Sequence, residues 1–352
     1  MRFNLISGFN LGLSCPGLPI DGSDRLDALE KAVELSSDCA ALLIAGDFIS
    51  SSDESLLSRI NEILLKKGNS KILISLSEKE NAMLPGLSGR LTGADFIFTG
   101  QKEPFQISDG NEKIFIYGNS STNEIFTQKK QDHDGFHIGL FRYDIESQAV
   151  NETELKSLFR ALPLDFYAFG GQKQPKIYKV SGKVISAYPG ECIQSSPSLP
   201  SDKFMLKLTV SQNYLYEIKR VIFPSAKAFS ADIDFSTTGK EEAFAIIKEN
   251  SNTDIKASIT FRGMRNFQIN DISGECSKMY KTAEISDESF PSLSLLADEY
   301  KESGVRREFL DILASNPLPG GINECDVAKM VDGILKNGAV VSEDWFCALL
   351  NA

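Results

Sequence analysis

Histidine is nearly absent from this chain of 352 residues: there are two, His133 and His137. Sites that draw several ligands or proton carriers from imidazole are therefore excluded. Cysteine is scarce and scattered, at Cys15, Cys39, Cys192, Cys276, Cys325 and Cys347, with no CxxC pair. That spacing excludes a zinc cage and a disulfide framework, and reads as isolated reduced thiols. No apolar run approaches the length of a bilayer-spanning helix. The N-terminal MRFNLISGFNLG carries one Arg and too short an apolar stretch for a signal peptide. A cytoplasmic location follows by default. Tryptophan occurs once, at Trp345.

What is present is an ordinary globular balance, 42% apolar and 24% charged residues, over a length that suits two domains or one with an appendage. The formal charge is −11. So acidic a surface repels nucleic acid unless a basic face is segregated. From Lys281 to Ala352 there are 13 Asp/Glu against 6 Lys/Arg, a local net of −7. An acidic, helix-rich tail suits a basic protein partner better than DNA.

The first 190 or so residues alternate strand-like and helix-like patterns. Arg2–Ser7 reads as a strand. A helix follows, capped near Asp21 or Ser23, with Leu26, Leu29, Ala32 and Val33 on one face. Cys39–Ala45 is a continuous apolar run ending at Gly46-Asp47, as in a strand buried on both faces. Ser52–Lys67 is a second amphipathic helix with Gly68 at the C-cap position, and Lys71–Leu76 a third strand. Asp95–Thr99, Lys113–Tyr117, Phe136–Phe141, Phe166–Phe169 and Val184–Tyr188 are further strands, with a helix at about Thr153–Ala161. Ser195–Ser201 (SSPSLPS) is a linker by composition. Beyond it, Lys203–Ser211, Tyr214–Ile222, Ala228–Phe235, a helix at about Gly239–Asn250 and Ile255–Arg262 read as a small α+β unit. From Phe290 the pattern is helical.

Strand ends are where α/β proteins keep their ligands. The blocks here, in order, are ISGFNLG (Ile6–Gly12), AGDFIS (Ala45–Ser50), ISLSEKEN (Ile74–Asn81), HIGLFRYD (His137–Asp144), DFYAFGGQKQP (Asp165–Pro175) and AYPGE (Ala187–Glu191). In order and spacing they resemble the calcineurin-like metallophosphoesterase family. The likeness is to its SbcD-type branch, the exonuclease subunit of bacterial double-strand-break repair. That branch has S-D-x-H-L-G, A-G-D-x-x-D, G-N-H-D, I-G-L-L-H and D-Y-x-A-L-G-H-x-H-x-P, then Y-P-G. The resemblance implies an α/β fold: a four-layer metallophosphoesterase-type β-sandwich flanked by helices (1–195), an α+β capping domain (202–282) and a helical tail (289–352). It implies an SbcC-like coiled-coil ATPase as partner, with DNA as a further candidate. A homodimer stays open, and no membrane association is implied.

Family enzymes hold two metals with His, Asp and Asn side chains, which make hydroxide and clamp the reacting oxygens. At those positions this chain has Gly8 for Asp, Asn10 for His, Ser77-Glu78-Lys79-Glu80 for G-N-H-D, Arg142 for the strand-end His, and Gly171 and Lys173 for the last two His. The one retained ligand is Asp47. Glycine cannot ligate, and protonated Lys or Arg has no lone pair to offer. The reading is a catalytically inactive SbcD-like subunit, a pseudoenzyme with no cofactor. Asp47 has two readings, a residual ligand or the cap of a turn. Glu78 and Glu80 are either substitute carboxylates or part of a solvated turn. Under the first of each pair the chain is an atypical metal-dependent exonuclease, with manganese or another divalent ion on Asp47 and Glu78 or Glu80. A third reading makes Lys79, Arg142 and Lys173 an anion-binding set around Asp47, in a phosphate-sensing regulator.

Other motifs carry less. Asp132-His133-Asp134 with His137 imitates metal spacing, but Gly135 and a following strand separate the pair. Lys129-Lys130, Lys219-Arg220 and Arg262 with Arg265 are the basic clusters, each readable as a solvated face or as part of a groove. In the tail, Leu293, Leu296 and Tyr300 share one helix face, and Val327, Val331, Ile334 and Leu335 another. These pack either on the chain's own body or on a coiled-coil partner.

Overall fold

The computed structural model describes residues 1–87, 89–97, 103–119, 134–143, 164–180, 182–197, 199–299, 304–315 and 323–337. The chain divides into two compact units. One comprises Met1–Pro16, Ile20–Ser196 and Ser201–Lys227, and the other Gly17–Pro19, Pro197–Pro200 and the chain from Ala228 on.

The first unit is a sandwich of two six-stranded sheets. In one sheet β1 (Arg2–Ile6), β2 (Ala41–Ala45), β3 (Lys71–Ser75) and β4 (Asp95–Ile97) run parallel, with β11 (Lys203–Ser211) and β12 (Tyr214–Phe223) added antiparallel beside β1. In the other, β6 (Glu112–Asn119), β7 (Phe136–Arg142), β8 (Phe166–Gly170) and β10 (Lys183–Tyr188) are parallel. Its edges are β5 (Phe105–Asp109) and β9 (Lys176–Val180), both antiparallel. Helix α1 (Gly22–Glu34) links β1 to β2, and α2 (Glu54–Leu64) links β2 to β3. Asp21 begins α1 with a capping box, its carboxylate accepting from the Ser23 and Asp24 amides. The second helix ends at Leu65, three residues before Gly68, which takes a left-handed conformation (φ +61°) in the following turn. Two short helical pieces, α3 (Glu78–Asn81) and α4 (Leu84–Leu87), follow β3. The helix expected at Thr153–Ala161 lies outside the described residues.

Period-two alternation explains the layers. Phe3, Leu5, Leu43, Ala45, Leu73, Ile138, Leu140, Phe166 and Ala168 point between the sheets and form one buried core. On the second sheet the opposite face is aromatic: Phe115, Tyr117, Phe141, Tyr143, Tyr167, Phe169 and Tyr188 cluster there. Each fully buried Leu or Phe contributes about 1.5–3 kcal/mol. This is the α/β sandwich that the strand-end motifs imply.

The domain boundary differs from the expected one. Residues 203–223 form strands as read, but they belong to the sandwich and not to a capping domain, because β11 pairs residue by residue with β1 (Phe3 opposite Leu208, Leu5 opposite Leu206). Leu206, Leu208 and Val210 thereby enter the inter-sheet core.

In the second unit, β13 (Lys227–Asp234), β14 (Asn252–Arg262) and β16 (Tyr280–Asp287) form a three-stranded sheet. Residues of α5 (Lys240–Glu249) and α6 (Asn270–Met279) complete its core, with Phe229, Ala243, Ile247, Ile259, Phe261, Ile272 and Cys276 buried together. The short strands β15 (Met264–Arg265) and β17 (Phe290–Pro291) pair in parallel. Helices α7 (Leu293–Glu299), α8 (Gly304–Ser315) and α9 (Glu324–Asn337) follow. Among the described residues no helix is long and apolar enough to cross a membrane.

Candidate functional site

The inward-facing rows of five parallel strands end at one edge of the sandwich. Continuing each row by two residues from the core gives Ser7 after Leu5, Asp47 after Ala45, Ser75 after Leu73, Arg142 after Leu140 and Gly170 after Ala168. The sequence motifs therefore meet in space, as strand-end loops of an α/β sheet do.

Backbone bonds stitch the loops together. The Asn10 amide donates to the Asp47 carbonyl (2.8 Å), Leu11 to Phe48 (2.9 Å), and Ser50 back to Leu11 (2.7 Å). Gly46 donates to Ser75 (2.8 Å), and Cys192 to Ser7 (2.8 Å). Asn10 and Asp47 sit at positive φ, +48° and +51°, a left-handed conformation that Asn and Asp adopt more readily than other side-chain-bearing residues. The glycines of AGD and FGG have a steric origin. A Cβ on Gly46 would lie 2.4 Å from Arg142 Cβ, and one on Gly170 would lie 1.6 Å from the Ala45 carbonyl oxygen. The two sheets approach too closely here for any side chain.

Arg142 reaches Asp47, with Nε 3.3 Å from Oδ1. The other two cations do not join it. The Lys173 ammonium donates to Ser196 Oγ (2.7 Å), and Lys79 is exposed. The three-cation set around Asp47 is thus reduced, among the described contacts, to one arginine. The side chain of Glu78 lies outside the described set.

Glu80 is no part of a solvated turn. It is buried, and its Oε1 accepts from the Phe48 and Ile49 amides (2.5 and 2.7 Å) while Oε2 accepts from the Ser77 amide (2.7 Å). Ser77 Oγ returns a bond from the Glu80 amide, a capping box at the start of α3. Burial is the larger influence on this carboxyl and raises its pKa; the amide donors oppose that, and the charge of nearby Asp47 adds to it.

A second polar group closes the site from behind. Glu191, following Tyr188-Pro189-Gly190, is buried; Lys203 Nζ donates to its Oε1 (2.8 Å) and Ser195 Oγ to its Oε2 (2.6 Å). A Cβ on Gly8 would lie 2.9 Å from Glu191 Cβ and 3.0 Å from its Cα. Arg25 of α1, fully buried, donates to the Phe9 carbonyl (3.0 Å) and the Gln194 carbonyl (3.2 Å), joining the loop after β1 to the loop after β10. Its pKa is lowered by burial. Sequence reasoning missed Arg25, Glu191 and Lys203. The signal available was three charged residues inside or beside apolar runs.

The chemistry of the donor set does not fit a metal pair. Asp47 is engaged by Arg142, Glu80 is spent on three amides, and Gly8 and Gly171 carry no donor. Among the described residues there is no group of three or more His, Cys, Asp or Glu able to hold an ion. His137 lies on β7, pointing into the aromatic face, with Nδ1 2.7 Å from Tyr117 Oη and its ring stacked on Phe115. His133 lies outside the described residues.

The remaining motifs resolve locally. Arg262 pairs with Asp232 (2.8 Å) and Glu288 (3.0 Å), and Arg265 is buried, donating to Ser289 and the Phe267 carbonyl. Arg262 is thus neutralised within its own unit, and Arg265 is buried on neutral acceptors. Lys129-Lys130 lies outside the described residues. Leu293, Leu296, Val327 and Val331 are buried in their unit's core, so those helix faces are turned inward. Tyr300 lies outside the described residues.

No protein-family model matches the chain, and no curated protein matches it. Several solved structures resemble it over about two thirds of its length. One is an archaeal phosphodiesterase, 12% identical, covering 63% of this chain and 99% of that one at a TM-score of 0.34. Another is a conserved protein of Streptococcus pneumoniae described as a predicted phosphoesterase, 11% identical, covering 64% and 90% at 0.33. A third is wild-type Vps29 of Entamoeba histolytica complexed with zinc, 14% identical, covering 64% and 100% at 0.28. These likenesses are remote, and the architecture described above rests on this chain's own strands and registers.

Proposed function

We propose that the chain is a phosphoesterase-like subunit without hydrolytic activity, an SbcD-like scaffold that works by binding. The observation that carries this reading is the pair of substitutions at the head of the site: the space beside residue 8 is taken by Glu191, and Asp47 faces an arginine. Paired-metal hydrolysis needs carboxylates and imidazoles converging on one point. Here the retained Asp47 is committed to Arg142, and Glu80 to backbone amides. The partner class comes from the motif resemblance, which implies a coiled-coil ATPase and, with it, DNA.

The test has two arms. Purified protein is assayed for bound metal and for hydrolysis of a generic phosphodiester with added manganese, beside Asp47→Ala. The expected result is no turnover above that variant. Turnover that vanishes in Asp47→Ala would overturn the reading in favour of an atypical metal-dependent phosphoesterase. In the second arm the tagged chain is used to recover partners from its own cells. A large ATPase with a long coiled coil supports the scaffold role, and its absence at native expression levels removes it.

A further inference from the structure

Strands β9 and β10 form a hairpin at one edge of the second sheet. Residues 166–190, which contain it, carry four lysines (Lys173, Lys176, Lys179 and Lys183) and no Asp or Glu, in a chain whose net charge is −11. All four lysines are exposed. The hairpin gathers them: Val180 pairs with Lys183, so Lys183 stands one position from Lys179 across the two strands. The acids that bound the segment are engaged elsewhere. Asp165 accepts from the His137 amide, and Glu191 from Lys203 and Ser195. Among the described residues no carboxylate pairs with Lys173, Lys179 or Lys183. Lys173 donates to Ser196 Oγ, and Lys176 lies over the Tyr178 ring at 5.2 Å. Lysine on an edge strand commonly serves to repel strand addition. That role accounts for Lys176 and Lys179 within β9. It does not account for Lys173 before the strand, Lys183 on its neighbour, or the lack of acid across the whole segment.

We propose that this hairpin is the docking surface for a short acidic segment of a partner protein, with Asp and Glu carboxylates of that segment against the four ammonium groups. The residue type, the size and the surroundings of the patch select this partner among polyanions. All four cations are lysines, compact point charges without the planar fork that grips phosphate or a base edge bidentately. The patch is small, since β9 spans five residues, about 17 Å. The rest of the chain is more acidic still than the whole. A DNA duplex or a bilayer extends well past so small a patch and brings its own charge within a Debye length, about 8 Å, of acidic surface. A run of a few carboxylates ends where the lysines end. Attraction of this kind acts mainly on the rate of encounter and the choice of partner. The lysine side chains make the contact, and the open edge of β9 stays blunted against another strand. This inference is independent of what the strand-end site does.

The test measures binding of a labelled deca-glutamate peptide to the full chain by fluorescence anisotropy, at about 50 and about 150 mM salt. The peptide is expected to bind, and to bind more weakly at the higher salt. Lys176→Gln, Lys179→Gln and Lys183→Gln combined are expected to weaken it about tenfold or more. A control with the same loss of charge, Lys71→Gln, Lys219→Gln and Lys281→Gln combined, is expected to weaken it about twofold at most. All six side chains are exposed, so both variants are expected to melt within a few degrees of wild type. No binding at the lower salt overturns the proposal, as does a control that loses as much as the hairpin variant. So does tighter binding, through these lysines, of a DNA duplex or of vesicles containing phosphatidylserine; that result gives the hairpin to nucleic acid or to a membrane.

Discussion

Glu191 stands where a side chain on residue 8 would project. Its Cβ and Cα lie 2.9 and 3.0 Å from the position a Cβ on Gly8 would take, and Gly8 itself holds φ +76°. The loop after β10 occupies space that a ligand on the loop after β1 would need. Restoring the motif residue, Gly8→Asp, should therefore not rebuild a metal site. Overpacking and a left-handed non-glycine residue together are expected to cost about 2–4 kcal/mol. Denaturant unfolding measures the loss. Calorimetric titration with manganese should give no more heat than wild type; a gain in affinity would contradict the closed geometry.

Glu191 is held by Lys203, and this pair is nearly dry, with side chains 10% and 6% exposed. Removing one partner of a buried pair strands the other charge. Lys203→Met is expected to destabilise the chain by about 3–5 kcal/mol. Lys203→Met with Glu191→Gln leaves no stranded charge and should recover much of that loss. Urea unfolding of the two single variants and the double completes the cycle. Additive losses would mean that the ion pair is not coupled.

Much of this was legible in the sequence. Alternating apolar residues gave the strands of both sheets, because inward rows such as Phe3-x-Leu5 and Phe166-x-Ala168 must face a core. The strand-end blocks converge as their order implies. The charged closure was not legible. Glu191 and Lys203 are twelve positions apart with a Pro/Ser linker between them, and only the antiparallel addition of β11 to β1 brings Lys203 beneath Glu191. Composition likewise assigned β11 and β12 to the wrong unit, since the chain leaves the sandwich unit only for Pro197–Pro200 of this linker and rejoins it at Ser201. Glu80 read as either a substitute ligand or part of a solvated turn because a helix of four residues gives no periodic signal. What buries it is the carboxylate's use as an acceptor for the Phe48 and Ile49 amides, a long-range contact no local pattern reveals.

The thiols should divide by burial. Cys192 and Cys276 are fully buried, and burial pushes the Cys276 pKa up to about 11 and that of Cys192 higher still. At pH 8 only about one Cys276 in a thousand is thiolate, the reactive form. Cys15 and Cys325 are partly exposed. Brief alkylation at pH 8 followed by peptide mapping is expected to label Cys15 and Cys325 in the native protein, and Cys192 and Cys276 only after denaturant. Rapid native labelling of Cys276 would mean that its unit opens far more readily than its packed core implies.

Glu80 predicts a pH dependence of definite sign. Its carboxyl is harder to ionise in the folded chain than in the unfolded one, whose ordinary value is 4.5, because burial outweighs the amide donors. Between those two values the folded state binds more proton, so stability falls as pH rises from about 4.5 through the folded value, and levels off above it. Glu80→Gln keeps an acceptor for Phe48 and Ile49 but cannot titrate. The stability of wild type relative to Glu80→Gln should therefore decline with rising pH across that window. Glu80→Ala strands the Phe48, Ile49 and Ser77 amides and is expected to cost about 2–3 kcal/mol at acid pH, and less as pH rises through the same window. Urea unfolding at pH steps from 4 to 8 measures all three proteins. A wild-type advantage that grows with pH would mean that the amides, not burial, govern this carboxylate.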